Sequence, residues 1–420
     1  MTGRYSWIPV ALLGVMAPVL VFPAVLGPAH GWMAAMVGIM ALVGAAGLLL
    51  GSGRLGLWAA LFSFTVLVGW SRAAGEASAL DHFCGVALGL FAMGTVAAWC
   101  RTVERLALGA LVFLLGGMVV LSIGSRSTSS VPGAKAFFRE TTAAPVQPIP
   151  LPLPSLHQRE SVNRNALAAT AMMILPVAAG IAAATAPVQR PALQVGVRLA
   201  GVLSAVWALV IVVTMQSRSA WLSAAVLLWL QGWRRMRPAF WLLAAALVFL
   251  AVPVVLIVFW SDQPRVAQAI ATLQERMMIW HQGLQAWRPS PWFGIGLDYF
   301  RHSGYSPLLV WPDAIVGRPH AHNMFLQTAL DVGIVGLVSY LAVIGLVMRR
   351  AFDLARLGGN AWTRRVGVGA ALSVLSVHIY GVLDAVALGT KVGLFQWLSC
   401  GLVLAAWRIE SAAGTTRGRM

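Results

Sequence analysis

The sequence has 420 residues, of which 59% are apolar and only 10% are charged, and its mean hydropathy is +0.80. Soluble globular domains carry about 25% charged residues. This class is therefore excluded, and the sequence predicts one polytopic membrane domain over 1–420. The net charge of +17 does not indicate a nucleic-acid partner, because the basic residues lie in short loops between apolar runs, as they do at a cytoplasmic membrane face.

Twelve apolar runs approach the length of about 20 residues that a helix needs to cross a bilayer. The first run follows Arg4 but lacks a small-residue cleavage site, so we expect a retained helix rather than a signal peptide. No repeat relates the two halves, which argues against a major-facilitator-like transporter. The predicted spans are 7–26, 31–50, 55–70, 82–99, 106–124, 165–185, 194–214, 219–233, 239–260, 323–348, 366–388 and 393–407.

The placement of arginine predicts how these spans are oriented. Seventeen of the 30 basic residues lie in every second link or at the termini, and the short links between them hold very few. Because arginine is enriched in cytoplasmic loops, this bias predicts an even number of spans with both termini in the cytoplasm. The long segment 261–322, between spans nine and ten, is then external, and periplasmic in a Gram-negative bacterium.

A second long outer segment, 125–164, is rich in serine and threonine and then in proline. Proline at alternate positions is incompatible with both a helix and a sheet, so we expect an extended periplasmic linker or a mobile flap.

The external segment 261–322 concentrates the polar and aromatic residues of the chain. Ser261 to Pro264 is a helix-start signal, and Arg288 to Pro291 is a stop. Between them, apolar residues recur at alternating spacings of four and three, which predicts an amphipathic helix lying on the membrane surface or on other helices. The predicted apolar face consists of Val266, Ile270, Leu273, Met277, Trp280, Leu284 and Trp287.

Arg276 lies beside this face, with Trp280 one turn further on. An arginine held at this level is suited to bind a phosphate at the lipid headgroups. The alternative is a snorkelling or ion-paired side chain, with Asp298 or Asp313 as its partner. The rings near the glycine turn at 293–296 are suited to stacking on sugars, or equally to an aromatic belt at the membrane interface.

His322 stands where the tenth span begins, and a half-desolvated histidine there is suited to act as a general base. The His320-x-His322 spacing is a weak metal signal, since no carboxylate or cysteine is nearby in sequence. Arg218, in the short outer turn before span eight, needs a partner or a function. Asp331, roughly 12 Å deeper than His322 along the helix, and Asp384 could each orient His322 or serve as structural acids.

Four segments together resemble the O-antigen ligase / oligosaccharide polymerase superfamily of bacterial membrane glycosyltransferases. They are NRNALA at 163–168, SRSAWL at 217–222, the run from Glu275 to Phe300 that contains Arg276, Trp280 and PWFGIG, and HNMFLQTALDVGIVG at 322–336. They occur in the family's order, and the last run, directly after a large outer loop, is the most specific of them.

The resemblance implies an all-α integral membrane protein with GT-C-type glycosyltransferase architecture and a large periplasmic helical loop between spans 9 and 10. It implies that Arg218 and Arg276 bind the donor diphosphate and that His322 is the catalytic base, with inversion at the anomeric carbon and neither metal nor cofactor. The residues that we expect to support this site are His320, Asn323, Asp331, Asp384, Trp280 and Arg288.

Of the functions within this family, the span count and the single dominant loop before span ten favour an O-antigen ligase. Such an enzyme transfers O-antigen from undecaprenyl diphosphate to the lipid A-core at the periplasmic face of the inner membrane, among membrane lipids. The alternatives are an O-antigen or exopolysaccharide polymerase of the same superfamily and, from another class, a lipid-linked-sugar flippase. A flippase would need a polar path through the spans, where the sequence has few ionisable residues.

Overall fold

The computed structural model describes residues 7–21, 31–125, 164–215, 217–232, 264–301, 320–356, 359–385, 388–390 and 393–417. The predicted ninth span, 239–260, lies outside these residues, as do the proline-rich segment and all of 302–319. Within the described ranges, every regular element is a helix, which confirms the all-α prediction for this part of the chain.

Twelve α-helices and one short 3-10 helix are described. Eleven of the α-helices correspond to predicted spans, and α9 is the predicted external helix. The α-helices are α1 (Ile8–Val21), α2 (Gly31–Leu50), α3 (Arg54–Arg72), α4 (Ala77–Trp99), α5 (Val103–Ser125), α6 (Arg164–Ala182), α7 (Pro191–Met215), α8 (Arg218–Gly232), α9 (Pro264–Trp287), α10 (Met324–Arg356), α11 (Ala361–Tyr380) and α12 (Leu394–Arg417).

Seven of the described helices are long and apolar enough to cross a membrane: α2 to α7 and α10. Their apolar composition leaves many large side chains exposed on the outside of the bundle, as expected of a surface that meets lipid. The finding supports a multi-pass membrane protein, and the predicted number of twelve spans stays a prediction.

The centre of the bundle is built around α4, which packs against α2 and α12, and around α11, which packs against α6 and α12. Phe62 of α3, Tyr340 of α10 and Trp397 of α12 meet there, with ring centroids 5.6 to 6.0 Å apart. These contacts hold α3, α12 and the middle of α10 together.

Helix α10 is interrupted at Gly333, which has a φ of 72°. The loop from Pro291 to Leu297 fills the interruption: Ile295 N–H donates to Leu330 O, and Ile334 N–H donates to Pro291 O. A Cβ on Gly333 would lie 2.2 Å from Trp292 O. The predicted glycine turn is thus present, and it satisfies backbone groups that the break in the helix leaves open.

The same loop is fastened to α3. Leu297 N–H donates to Gly69 O over 3.0 Å, and the Arg72 guanidinium donates to Ser290 Oγ and to Gly294 O. The end of α9 is therefore held between α3 and α10, which fixes α9 relative to the bundle.

Three residues of the apolar face predicted for α9 are turned away from the other helices. Leu273, Met277 and Leu284 are 46%, 58% and 47% exposed. The buried side of the helix instead carries Ile279, Gln282, Gly283 and Ala286. The small residues explain the difference, because Gly283 lets α9 approach Leu326 of α10 closely, whereas the large apolar residues are left outward, where lipid can cover them.

The predicted end of the eleventh span at 388 was wrong, since α11 ends at Tyr380. The carbonyls of Gly381 and Val382 accept hydrogen bonds from Met324 N–H and from the Asn323 side chain. These carbonyls are acceptors that a longer α11 would use for its own next turn. Asp384 consequently lies in a turn beyond the helix.

We predict that Gly333→Ala destabilises the protein, because the new methyl group meets backbone atoms and the positive φ disfavours alanine. Thermal unfolding of the purified protein in detergent should show a clear drop in the midpoint. Gly345→Ala in the same helix is the matched control, since a Cβ there meets nothing within 4 Å. Equal midpoints for the two variants would contradict the role given to the interruption in α10.

Candidate functional site

The candidate site forms where the start of α10 is joined to the turn after α11. Asn323 caps α10 through its Oδ1, which accepts Leu326 N–H at 2.9 Å, while its amide donates to Val382 O at 3.0 Å. Met324 N–H donates to Gly381 O at 2.7 Å. These bonds bring His322 and Asp384, 62 residues apart in sequence, to the same place.

His322 Nδ1 lies 3.1 Å from Asp384 Oδ1. The carboxylate can only accept, so it fixes the imidazole proton on Nδ1 and leaves Nε2 with a free lone pair. The backbone of His322 has a φ of 48°, a conformation that non-glycine residues rarely adopt. The surrounding hydrogen bonds maintain this conformation, as is common for side chains that must be aimed at a ligand.

His320 lies beside this pair, with its ring centroid 4.2 Å from that of His322. Its Nδ1 accepts a hydrogen bond from His322 N–H at 3.1 Å, so its own proton is on Nε2, which lies 3.9 Å from Asp384 Oδ1. His320 is buried and supports both the backbone of His322 and the charge of Asp384.

Asp384 is held as an anion. Burial alone would raise the pKa of Asp384, but the hydrogen bond from His322 and the electrostatic effects of His320, His322 and Arg276 outweigh it and lower the pKa to about 2. Tyr380 O–H also donates to Asp384 Oδ2 over 3.3 Å. The carboxylate is therefore charged at any pH near neutrality.

Arg276 of α9 is half-buried and close enough to Asp384 for its charge to stabilise the carboxylate. It makes no ion pair within the described part of the chain, so neither Asp298 nor any other described acid neutralises it at contact distance. The structure brings Arg276 and His322 to one site, with the guanidinium available to an external anion.

Arg218 is the first residue of α8 and is exposed. In the same helix, Ser223 donates to Ser376 O of α11 at 2.8 Å. Arg218 lies five residues before Ser223, about 7.5 Å further along α8. This is the end of the bundle at which α11 stops and Asp384 follows. Arg218 thus shares the level of the site, and no described polar contact joins its side chain to the other site residues.

A buried hydrogen-bond network supports the site from below. Gln327 Oε1 accepts Ala321 N–H at 2.9 Å, and its Nε2 donates to Asp331 Oδ1 at 2.9 Å. Asp331 also accepts Asp298 N–H at 3.1 Å. His82 Nδ1 lies 3.9 Å from Asp298 Oδ2. Of the two acids that could orient His322, Asp384 makes the contact, whereas Asp331 acts on the backbone before His322 through Gln327.

The remaining predicted residues lie around this centre without touching His322. Trp280 is half-buried on α9, and its indole N–H has no hydrogen-bond partner among the residues that the structure describes. Arg288, just past the end of α9, is exposed and makes no described side-chain contact. Gln327 and His82 were missed by sequence reasoning. Gln327 stands in the HNMFLQ run, but nothing in the sequence indicated its bond to the backbone of Ala321.

His320, His322 and Asp384 each offer a ligand atom, and these atoms lie within 4.8 Å of one another. Two imidazoles and a carboxylate are a donor set that suits a divalent transition metal. The two described hydrogen bonds of the same atoms also satisfy them without an ion. The sequence-based expectation that the site works without metal stays a prediction.

Comparison with known proteins supports the predicted resemblance. Residues 203–341 match the family model described as O-Antigen ligase. The chain is also 31% identical, over 72 residues, to the exopolysaccharide production protein ExoQ of Rhizobium meliloti strain 1021. That alignment covers 16% of this chain and 17% of the relative. The resemblance to the O-antigen ligase superfamily is thus confirmed, with Arg218, Arg276 and His322 all inside the matched region.

We predict that Gln327→Met destabilises the protein, because it leaves Ala321 N–H buried without an acceptor, at a cost of about 1–3 kcal/mol. A lower midpoint of thermal unfolding in detergent would report this loss. Gln285→Met is the matched control, since Gln285 is exposed and contacts only the exposed side of His281, where substitutions usually change stability by less than about 0.5 kcal/mol. A midpoint unchanged in Gln327→Met would remove Gln327 from the supporting network.

Proposed function

We propose that this membrane protein, whose residues 203–341 match the O-antigen ligase family, is a glycosyltransferase that uses a polyprenyl-diphosphate-linked glycan. In its specific form, the proposal is an O-antigen ligase that transfers O-antigen from undecaprenyl diphosphate to the lipid A-core. The observation that carries it is the meeting of the His322–Asp384 pair with Arg276 at one end of the helix bundle.

His322 is the proposed general base. Asp384 holds the proton of His322 on Nδ1, so Nε2 can take the proton of an acceptor sugar hydroxyl. The hydroxyl oxygen then forms a bond to the anomeric carbon of the donor, while the bond between that carbon and the diphosphate oxygen breaks. Attack from the face opposite the leaving group inverts the anomeric configuration. Asp384 stabilises the imidazolium that results.

Arg276 and Arg218 are the proposed diphosphate ligands. A guanidinium presents a planar fork of donors that matches two phosphate oxygens. Negative charge grows on the diphosphate as it leaves, so positive charge held in a partly dehydrated site lowers the barrier. Arg276 suits this role because it faces the site and has no described ion-pair partner. With arginines in this role, the reaction needs no metal ion.

A polymerase of the same superfamily is the second candidate. The observation that favours it is the name of the matched relative, which is an exopolysaccharide production protein. Both enzymes would use the same base and the same diphosphate site, and they differ in the acceptor, which is the lipid A-core for a ligase and a second carrier-linked glycan for a polymerase.

The proposed location is the bacterial inner membrane, with both termini in the cytoplasm and the site facing the periplasm. The support is the distribution of arginine. Arg349 and Arg350 lie near the end of α10, Arg101 lies between α4 and α5, and Arg105 lies in the first turn of α5, all at the end of the bundle opposite His322. Basic residues favour the cytoplasmic face, so the opposite end, with His322, faces outward.

The acceptor is tested with purified protein, a diphosphate-linked glycan, and lipid A-core as the only other acceptor, in buffer with and without EDTA. A ligase shifts the lipid A-core to higher mass, and a polymerase produces a ladder on the polyprenyl carrier. We expect lipid A-core transfer that EDTA leaves unchanged. Absence of both products with a folded, donor-binding protein would contradict the proposed enzyme class.

We predict that His322→Ala and Asp384→Asn both reduce transfer, by about 10²-fold or more, as expected for the loss of a general base or of its orienting partner. Both variants should still bind the donor, because neither residue is a proposed diphosphate ligand. The readouts are turnover and donor binding, measured separately. A flippase would retain its transport in both variants, and such a result would favour the alternative from the transporter class.

We predict that Arg276→Lys and Arg218→Lys each reduce transfer by about tenfold or more. Losing one charge-assisted hydrogen bond of about 1.5–3 kcal/mol has this effect, and an ammonium group cannot copy the fork. Arg190→Lys is the control, since Arg190 is exposed in the link before α7, at the opposite end of the bundle. Full activity of either site variant would remove that arginine from the proposed diphosphate site.

A further inference from the structure

The end of the bundle opposite His322 carries a cluster of arginines that the proposed reaction does not use. Arg408 of α12 has Arg101, from the link between α4 and α5, and Arg350 of α10 as charged neighbours. Arg350 lies 26 residues after the start of α10, about 39 Å along the helix. This exceeds the hydrocarbon core of about 30 Å, so the cluster and His322 lie at opposite membrane faces.

Arg408 is fixed in place by hydrogen bonds to parts of the chain that are far away in sequence. Its Nη1 donates to Ala97 O at 2.7 Å, and its Nη2 donates to Ser52 Oγ at 2.8 Å. Arg408 therefore joins α12 to the end of α4 and to the link between α2 and α3. A half-buried guanidinium held in this way keeps its charge at one position.

Arg350 is held in a different way. Its guanidinium carbon lies 3.8 Å from the centroid of the Trp407 ring, a cation–π contact. Tryptophan favours the level of the lipid headgroups. The face of the guanidinium rests on the indole, and its N–H groups make no described hydrogen bond, so they are free to bind an anion at this level.

Two arginines of this cluster have no acidic partner inside the described part of the chain. Neither Arg350 nor Arg408 makes an ion pair there. Of the nearby acids, Glu410 is buried and accepts Asn360 N–H at 3.0 Å, and Asp353, one turn beyond Arg350, pairs with neither arginine. Charged groups near the hydrocarbon usually have a partner, so these two guanidinium groups favour an anion from outside the chain.

We propose that Arg350 and Arg408, with Arg101 beside them, form a binding site for the phosphate group of an anionic membrane lipid. Guanidinium groups match phosphate oxygens, and basic pockets between helices at the cytoplasmic face recognise anionic headgroups. The lipid would bridge α10 and α12 and so fasten the far end of the helix that begins just after His322. The same chemistry would accept inorganic phosphate, and the test separates the two sources.

The test is native mass spectrometry of the purified full chain in a neutral detergent, with added phosphatidylglycerol, phosphatidylcholine or inorganic phosphate. We expect a phosphatidylglycerol adduct that phosphatidylcholine does not replace. Arg350→Gln should weaken phosphatidylglycerol binding at least about tenfold, as loss of a charge-assisted contact of 1.4 kcal/mol or more implies. Arg190→Gln, an exposed arginine at the same end of the bundle, should bind like the unaltered protein.

Arg350→Gln carries the test because its only described contact is the one with Trp407, whereas Arg408→Gln also breaks hydrogen bonds that hold the fold. Equal phosphatidylglycerol binding by Arg350→Gln and Arg190→Gln would overturn the proposal. Binding of inorganic phosphate that is lost in Arg350→Gln, with no preference for phosphatidylglycerol over phosphatidylcholine, would overturn the lipid as the ligand and assign the site to free phosphate.

Discussion

The hydrogen bond between His322 and Asp384 is the contact on which the proposed activity depends, and it exists because two helix ends are joined. The carbonyls released where α11 stops accept donors from the start of α10. The backbone carbonyls just after the end of α11 thus accept hydrogen bonds from the residues that begin α10. This arrangement explains how a strained residue, His322, is held at a membrane boundary with its Nε2 directed away from its carboxylate partner.

Charged side chains at both ends of the bundle lie near the hydrocarbon, but they are neutralised in different ways. A buried carboxylate at one end is kept ionised by two histidines and by Arg276, while Arg350 and Arg408 at the other end make no described ion pair. In a protein with 10% charged residues, each charge near the hydrocarbon needs a partner or a ligand. Arg276 on α9 is suited to bind a diphosphate, and the arginines around Arg408 are suited to bind the phosphate of an anionic lipid headgroup.

The helical architecture and the position of His322 can be predicted from the sequence. The features that cannot be predicted have physical causes. Apolar runs predict helices because backbone groups in lipid must pair within the segment, and the HN…LQ run singles out His322. Which acid orients His322 could not be decided, because Asp331 and Asp384 are equally plausible along the chain and only the turn after Tyr380 separates them. Which face of α9 packs on the bundle could not be decided from the sequence either, because Gly283 and Ala286 allow a closer approach than large residues do.

The central claim is that one pocket holds the donor diphosphate between Arg276 and the His322–Asp384 pair. The most direct measurement is an electron cryomicroscopy map of the purified protein with a bound polyprenyl-diphosphate glycan. We expect phosphate density within hydrogen-bonding reach of the Arg276 guanidinium, with the anomeric carbon on the side of His322. Phosphates bound at the opposite end of the bundle, or separated from Arg276 by other elements, would contradict it.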